Sequence, residues 1–148
     1  MPEAIELDPA LYRGTAGYYD RFRVPYPQGL FHELVCFAAP GGHGRLMDLA
    51  GGTGQIAFAL ADRFAEVWAV DQEADMIEVV RDKTRTVRAG HVRPVVARAE
   101  DLAAPSRAFV LAAIGNAFHR VRGNAVAANV HRWSLPNGHI ALLWRNSP

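Results

Sequence analysis

Residues 46–55, Leu46-Met47-Asp48-Leu49-Ala50-Gly51-Gly52-Thr53-Gly54-Gln55, decide how the rest of this chain is interpreted. An apolar run ends in an acidic residue, a glycine cluster follows, and a helical pattern then continues from Ile56 to Phe64. A strand that turns sharply into a helix needs glycine wherever a side chain would block the backbone or a ligand. The stretch therefore predicts a strand, a tight turn and a helix whose first N–H groups face outward as a docking point.

The composition is that of an ordinary globular domain. The chain has 148 residues, of which 50% are hydrophobic and 21% charged, and these values suit one domain with its own core. A net charge of +1 gives no electrostatic reason to expect a nucleic acid or an acidic membrane surface as partner. No apolar stretch is long enough for a transmembrane helix, and the acidic N-terminus does not resemble a signal peptide. We therefore expect a cytoplasmic protein.

Cysteine and histidine give no sign of a disulfide or a metal site. The single cysteine, Cys36, lies in an apolar helical pattern with Leu34 and Val35, which predicts a buried and inert thiol. The six histidines are scattered, and no spacing matches a pair of metal ligands. We expect no bound metal.

Helical and strand patterns alternate along the chain. This alternation predicts a parallel sheet with helices on both faces, joined by right-handed crossovers. Basic residues at 81, 83, 85 and 88 are spaced as on the solvent-facing side of a helix. The predicted helices are 28–39, 55–64, 74–86 and 121–133, and the predicted strands are 45–49, 66–70, 92–97, 109–114 and 139–144, with a turn at 136–138.

Residues 1–27 are predicted to form an N-terminal arm ahead of the domain at 28–148. The arm contains tyrosines and arginines, among them Tyr18, Arg23 and Tyr26, and prolines follow them. Two interpretations remain open. The aromatic side chains either fix the arm to the surface, or the arm is a lid whose arginine and tyrosine side chains reach a polar ligand.

Polar groups follow the strands at their carboxyl ends, where an open α/β sheet binds its ligands. Asp71 ends the second predicted strand. A carboxylate at this sequence distance from a glycine turn commonly accepts hydrogen bonds from ribose hydroxyls. Alternatively, Asp71 is the N-cap of the helix that follows. Glu100 and Asp101 follow the third strand, either as ligand-facing groups or as part of a solvated loop. His119 follows the fourth strand, either facing a ligand or packed beside the core.

The glycine turn taken by itself fits two kinds of enzyme. Residues 52–57 match G-x-G-x-x-A, so an NAD(P)-dependent oxidoreductase is one interpretation. Asp48 counts against it, because a carboxylate beside a pyrophosphate is costly and suits a ligand with a positive end better. A Walker A loop is excluded because no Lys-Ser or Lys-Thr follows the glycines, and no Gly-x-Ser-x-Gly elbow of a serine hydrolase is present.

With these residues in view, the chain resembles the class I S-adenosylmethionine-dependent methyltransferases. It is most similar to the small-molecule branch known as methyltransferase type 11 or 25, which includes trans-aconitate-like enzymes. The matching segments run in family order along nearly the whole chain. They are the arm at 19–27, the D-L-G-x-G-x-G-like turn at 48–54, Val70-Asp71, the adenine-side loop at 98–102, the segment at 116–119 and the L-x-P-G-G-like turn at 135–139.

This resemblance implies a cofactor site at the carboxyl edge of the sheet and a small-molecule methyl acceptor. Glycines of the turn would let S-adenosylmethionine approach the backbone, and His119 would be the catalytic residue that positions the acceptor or takes its proton. The product would be S-adenosylhomocysteine. The implied cofactor-binding residues are Tyr18, Arg23 and Tyr26 over the methionine carboxylate, Asp48 at its cationic end, Ala50, Gly51, Gly52 and Gly54 in the turn, Asp71 with Gln72 at the ribose, Ala99 and Glu100 at the adenine, and Asn116.

The chain departs from the family pattern in three ways. Ala50 replaces the first glycine of the turn, and Asn137 replaces a glycine of the last turn. The family sheet has seven strands, whereas this chain stops after the fifth. We therefore predict a Rossmann-like, doubly wound parallel sheet of order 3-2-1-4-5 that lacks strands 6 and 7 and leaves an exposed apolar edge. The chain is then a fragment, a truncated module impaired in catalysis, or a domain that pairs with another copy.

Overall fold

A parallel sheet is the centre of the structure, a computed structural model that describes residues 16–17, 26–115 and 122–144. Its strand order is β3-β2-β1-β4-β5, and every neighbouring pair is parallel. This topology confirms the predicted order. The strands are β1 (Arg45–Leu49), β2 (Glu66–Asp71), β3 (Val92–Val96), β4 (Phe109–Gly115) and β5 (Ser134–Leu143).

The helices follow the predicted pattern, with one shortened. The second predicted helix becomes α2 followed by a 3₁₀ turn at Ala61–Arg63, rather than one helix through 64. None of the helices in the described residues is long and apolar enough to cross a membrane. The α-helices are α1 (Gln28–Ala38), α2 (Gln55–Leu60), α3 (Ala74–Thr86) and α4 (Gly123–Trp133).

Helices cover both faces of the sheet. Leu46 and Met47 are consecutive in β1 and fully buried, yet they belong to different cores, because successive strand residues point to opposite faces. On the face of Leu46, the core includes side chains of α1, α2 and α3. On the face of Met47, it includes Val126, Val130 and Trp133 of α4. This two-sided packing explains why the strands are almost continuously apolar.

The last strand differs from the prediction at its start. β5 begins at Ser134, directly after α4, and not at 139. Phe109 pairs with Ser134 but Leu111 pairs with His139, so residues 135–138 bulge out of the ladder. The predicted turn at 136–138 is this bulge, where a proline and a glycine disrupt regular pairing.

The prediction that Cys36 is buried is wrong. Its thiol is free and exposed on α1, and Sγ lies 3.8 Å from Nε2 of His32, one helical turn earlier. The physical reason is that α1 turns only one side toward the sheet, with Phe31 and Ala38 as its buried residues. The helix therefore has more apolar residues in its sequence pattern than it buries against the sheet.

β5 is the outer strand of the sheet in the described residues, and apolar side chains remain exposed along it. Ile140 and Leu142 are 45% and 37% exposed, and Trp144 just beyond the strand is 72% exposed. Phe37 of α1, 74% exposed, packs edge-on against His139 with ring centroids 6.3 Å apart. The predicted exposed apolar edge is therefore confirmed.

Candidate functional site

The glycine turn connects β1 to α2 through left-handed backbone. Ala50, Gly52 and Gly54 have φ angles of 49°, 57° and 83°. A hydrogen bond of 3.0 Å from the Gly54 N–H to the Gly51 carbonyl closes the turn. Ala50, which departs from the family glycine, therefore occupies a conformation that a residue with a Cβ rarely adopts.

Glycine is required at two positions of the turn because the backbone lies directly on other side chains. A Cβ on Gly51 would lie 2.6 Å from the carboxylate of Asp48. A Cβ on Gly54 would lie 2.9 Å from Cε2 of the Phe58 ring. Real Cβ atoms do not approach other atoms so closely, so a side chain at either position would displace the turn.

The glycine N–H groups are used inside the protein. Gly51 donates to the carbonyl of Val70 at 2.9 Å, and Gly52 donates to Oδ2 of Asp71 at 2.9 Å. Together with the bond from Gly54 to Gly51, these contacts engage the N–H groups of all three glycines, because the end of β2 runs alongside the turn. The N–H groups predicted to face outward are those at the start of α2, and of these the Ala57 N–H donates inward to Asp48.

Asp48 lies beneath the turn and is fully buried. Its Oδ2 accepts a hydrogen bond of 3.1 Å from the N–H of Ala57 in the first turn of α2. The carboxylate thus fixes the start of the helix relative to β1. Because the side chain is inaccessible, its implied contact with a cationic methionine group stays a prediction, and its observed contact is with the backbone.

Asp71 joins the end of β2 to the glycine turn. Oδ1 accepts the N–H of Glu73 at 2.8 Å, and Oδ2 accepts the N–H of Gly52. Glu73 precedes α3, so the bond to its N–H forms a local turn and does not cap the helical amides. Asp71 is partly exposed. Gln72 beside it is exposed.

The adenine-side loop after β3 is fastened to α4. Ala99 is buried, and the Glu100 side chain is only 11% exposed. The side-chain amide of Asn129 in α4 donates to the carbonyls of Ala99 at 3.3 Å and of Glu100 at 3.1 Å. The solvated-loop interpretation is therefore wrong for Glu100, whereas Asp101, with 68% of its side chain exposed, fits it.

The Glu100 carboxylate reaches the beginning of α4. Its Oε1 accepts the backbone N–H of Arg122 at 2.9 Å, and its Oε2 lies 3.4 Å from Nε of Arg98. Partial burial raises the pKa of Glu100, but the hydrogen bonds and the neighbouring Arg98 guanidinium outweigh it and hold the pKa below its usual value. The carboxylate is therefore anionic at neutral pH.

Tyr26 lies in the core at the carboxyl edge of the sheet. It is 4% exposed, and its ring meets that of Phe31 edge-on with centroids 6.0 Å apart. A Cβ on Gly115, the last residue of β4, would lie 2.5 Å from the Tyr26 hydroxyl. The tyrosine that was assigned to the arm is thus packed against the sheet. Tyr18, Arg23, Asn116 and His119 lie outside the described residues.

Sequence reasoning missed two residues that hold the site. Asn129 gave no signal beyond its place in a helical pattern. Lys83 was grouped with the solvent-facing basic residues of α3, yet its Nζ donates to the carbonyl of Thr53 at 3.0 Å. Only the packing of α3 beside the turn brings these two groups together. Within the part of the chain that the structure describes, no cluster of three or more metal-ligating side chains occurs.

Residues 46–138 match the sequence profile of a family described as a methyltransferase domain. The match begins in β1 and ends within β5, so it includes the glycine turn, Asp71 and the adenine-side loop. The chain belongs to the methyltransferase domain family. An uncharacterized methyltransferase of Mycobacterium tuberculosis is 28% identical to this methyltransferase domain over 138 residues, which cover 93% of the chain and 53% of the relative. The chain thus spans about half the length of that relative.

Solved structures share the fold of this methyltransferase domain. The YcgJ protein of Bacillus subtilis superposes with a TM-score of 0.72 at 22% identity, over 78% of this chain and 50% of that one. A geranyl diphosphate methyltransferase superposes with a TM-score of 0.72 at 20% identity, over 79% of this chain and 48% of that one. At these identities the likeness establishes the fold, and the function has to be argued from the site.

Proposed function

We propose that this methyltransferase domain binds S-adenosylmethionine at the carboxyl edge of its sheet and contributes to methyl transfer onto a small-molecule acceptor. The observation that carries the proposal is the connection between the glycine turn and Asp71. Two backbone hydrogen bonds hold this carboxylate beside the turn while leaving it partly exposed, as a ribose-binding acid needs to be. The geranyl diphosphate methyltransferase with the same fold is described in complex with S-adenosylmethionine.

The cofactor would extend along the sheet edge from the turn to the adenine-side loop. Asp71 and the exposed Gln72 would hold the ribose, since both lie where β2 ends beside the glycine turn. Ala99 and Glu100 would border the adenine, with their backbone carbonyls already fixed by Asn129. Asp48 would support the turn from below, beside the cationic end of the methionine.

The chemistry asked of the protein is modest. The cofactor supplies a sulfonium-activated methyl group, so the residues of the chain mainly bring acceptor and donor into line. His119, in the segment that follows β4, would position the acceptor or take its proton. Tyr18 and Arg23 of the arm would close over the methionine carboxylate. The preference for a small-molecule acceptor rests on the sequence resemblance, and the cytoplasmic location stays a prediction.

Two alternatives make different predictions. An NAD(P)-dependent oxidoreductase is disfavoured, because the family match is to methyltransferases. A cofactor-binding module without transferase activity would keep the site but need a further part for the acceptor. Its basis is that the chain spans 53% of the M. tuberculosis relative.

A second copy of the chain, pairing along the exposed edge of β5, is a further proposal for what covers that strand.

Isothermal titration calorimetry with S-adenosylhomocysteine and with NADH tests the proposal. We expect saturable 1:1 binding of S-adenosylhomocysteine and none of NADH. Asp71→Asn should weaken S-adenosylhomocysteine binding by about ten-fold or more, because it removes a charged acceptor for the ribose hydroxyls. Asp62→Asn, an equal charge change at an exposed residue of the 3₁₀ turn, is the matched control and should bind normally. Binding of NADH alone would overturn the proposed function.

A further inference from the structure

The first amides of α2 have no carbonyl partner within the helix, as at any helix N-terminus. The helix begins at Gln55 after the N-cap Gly54, and its first helical bond runs from the Phe58 N–H to the Gly54 carbonyl. The Ala57 N–H, one residue earlier, donates to the Asp48 carboxylate at 3.1 Å. Thr53 precedes the N-cap, so its carbonyl accepts no helical hydrogen bond, and the residue is fully buried.

Lys83 supplies a donor for this carbonyl. Its Nζ donates to the Thr53 oxygen at 3.0 Å across a sequence separation of 30 residues. A buried backbone carbonyl without a partner is costly, so this contact stabilises the turn. An acid of β1 and a base of α3 thus each hold one backbone group where the turn meets α2.

The lysine is held in place by its own surroundings. Nζ lies 5.5 Å from the centroid of the Phe58 ring, within the range of a cation–π contact. The same ring lies against Gly54, whose left-handed backbone ends the turn. Lys83, Phe58 and Gly54 therefore form one contact chain from α3 to the turn. The neighbouring Arg81 and Arg85 instead pair with acids of α3 itself, as exposed helical ion pairs do.

We propose that Lys83 is a positioning residue for the cofactor turn. Its ammonium group holds the Thr53 peptide in the orientation that allows Asp48 to hold Ala57, and the two contacts together fix the backbone between β1 and α2. This inference rests on the proposed function in one respect only: the fixed turn is the one that takes S-adenosylmethionine. The contact itself is independent of any ligand, so it has a readout of its own.

The variants distinguish the effect of losing the Lys83 ammonium group from the effect of changing any charge on the same helix. Lys83→Met keeps most of the aliphatic stem and removes the donor and the charge. Lys83→Arg keeps a cationic donor. Arg85→Met removes the same charge from the last turn of the same helix, at a side chain that is 76% exposed and paired with Asp82. If Lys83→Met does not fold, Lys83→Gln, which keeps a neutral donor of shorter reach, replaces it in the same comparison.

Two measurements are made at a temperature where every variant is folded. Amide hydrogen exchange by NMR should be faster for Ala57 and Phe58 in Lys83→Met, with the amides of β1 and β4 unchanged, because the turn loses a support. Titration with S-adenosylhomocysteine should show about three- to ten-fold weaker binding by Lys83→Met, because the turn loses its charge-assisted hydrogen bond from the ammonium group. Lys83→Arg should recover the binding. Arg85→Met should match the wild type in both measurements.

The outcomes separate the two proposals. Unchanged exchange at Ala57 and unchanged binding in Lys83→Met would overturn the role of Lys83 and leave the proposed function standing. Equal weakening in Arg85→Met would also overturn it, because the effect would then follow net charge. If the wild type itself does not bind S-adenosylhomocysteine, the proposed function fails. Faster exchange at Ala57 and Phe58 in Lys83→Met would then still support the role of Lys83 in positioning the turn. Unchanged exchange at these amides would overturn that role.

Discussion

Gly54→Ala should destabilise the protein more than an ordinary alanine substitution. Gly54 has a φ of 83°, a region in which a residue with a Cβ loses about 1–2 kcal/mol. The new Cβ would also lie 2.9 Å from Cε2 and 3.0 Å from Cδ2 of the Phe58 ring, and 3.4 Å from Val80. Forcing one extra carbon into a packed site costs about 1–3 kcal/mol.

One effect opposes these costs. Alanine restricts the unfolded chain more than glycine does, which returns about 0.4–1 kcal/mol to the folded state. The net loss in the free energy of unfolding is therefore about 1–4.5 kcal/mol. At about 2–4 °C of melting temperature per kcal/mol for a chain of this size, the midpoint should fall by about 2–18 °C.

Urea and thermal unfolding, followed by circular dichroism, measure this loss. Gly29→Ala is the matched control, since the same substitution in α1 meets no atom within 4 Å and requires no left-handed backbone. It should stabilise the protein by about 0.5–1 kcal/mol, because alanine favours the helix. If Gly54→Ala has a free energy of unfolding within 0.5 kcal/mol of the wild type, roughly the error of such measurements, the described turn is wrong.

Three further substitutions test other parts of the account. Ala50→Gly removes the strain of a left-handed φ of 49° but also removes a partly buried methyl group. The two effects oppose each other, so the melting temperature should stay within about 3 °C of the wild type. A larger fall would mean that residue 50 is not left-handed. The lowered pKa of Glu100 gives stability that is present above its unfolded pKa and lost as pH falls through the folded one. Glu100→Gln should therefore lower the melting temperature at pH 7 and converge with the wild type as the pH falls through the folded pKa, and parallel pH profiles would refute the contact with Arg122. Leu142→Lys places a charge on the exposed apolar edge of β5 and should reduce self-association in sedimentation velocity, whereas an unchanged oligomeric state would argue against pairing through that edge.

The strand order and the turn could be predicted because both depend on local sequence signals. A buried parallel strand has a nearly continuous apolar run, and the turn after β1 requires glycine at fixed places. The start of β5 could not be predicted, since Pro136 and Gly138 are turn residues by local rules. Only pairing with β4 makes residues 135–138 a bulge within a strand.

The contacts that hold the site depend on long-range packing, which a sequence pattern does not contain. Lys83 has the spacing of a solvent-facing residue, and its contact with Thr53 exists because α3 lies beside the turn. Asn129 reaches the adenine-side loop across the sheet edge in the same way. The burial of Asp48 also went unpredicted, because an acidic residue at a strand end is usually read as exposed. Its partner, the N–H of Ala57, is one of the first amides of α2, which have no acceptor within the helix.

Chemical-shift mapping of S-adenosylhomocysteine on the isotopically labelled wild-type chain tests the central claim most directly. The account predicts saturable shifts of the backbone amides of Gly52, Gln72 and Ala99, which lie at the carboxyl edge of the sheet on three successive connections. Amides near the opposite edge, such as that of Arg45 at the start of β1, should not move. Saturable binding with shifts confined to other surfaces, or no shift at millimolar ligand, would contradict the claim that the glycine turn and Asp71 form a cofactor site.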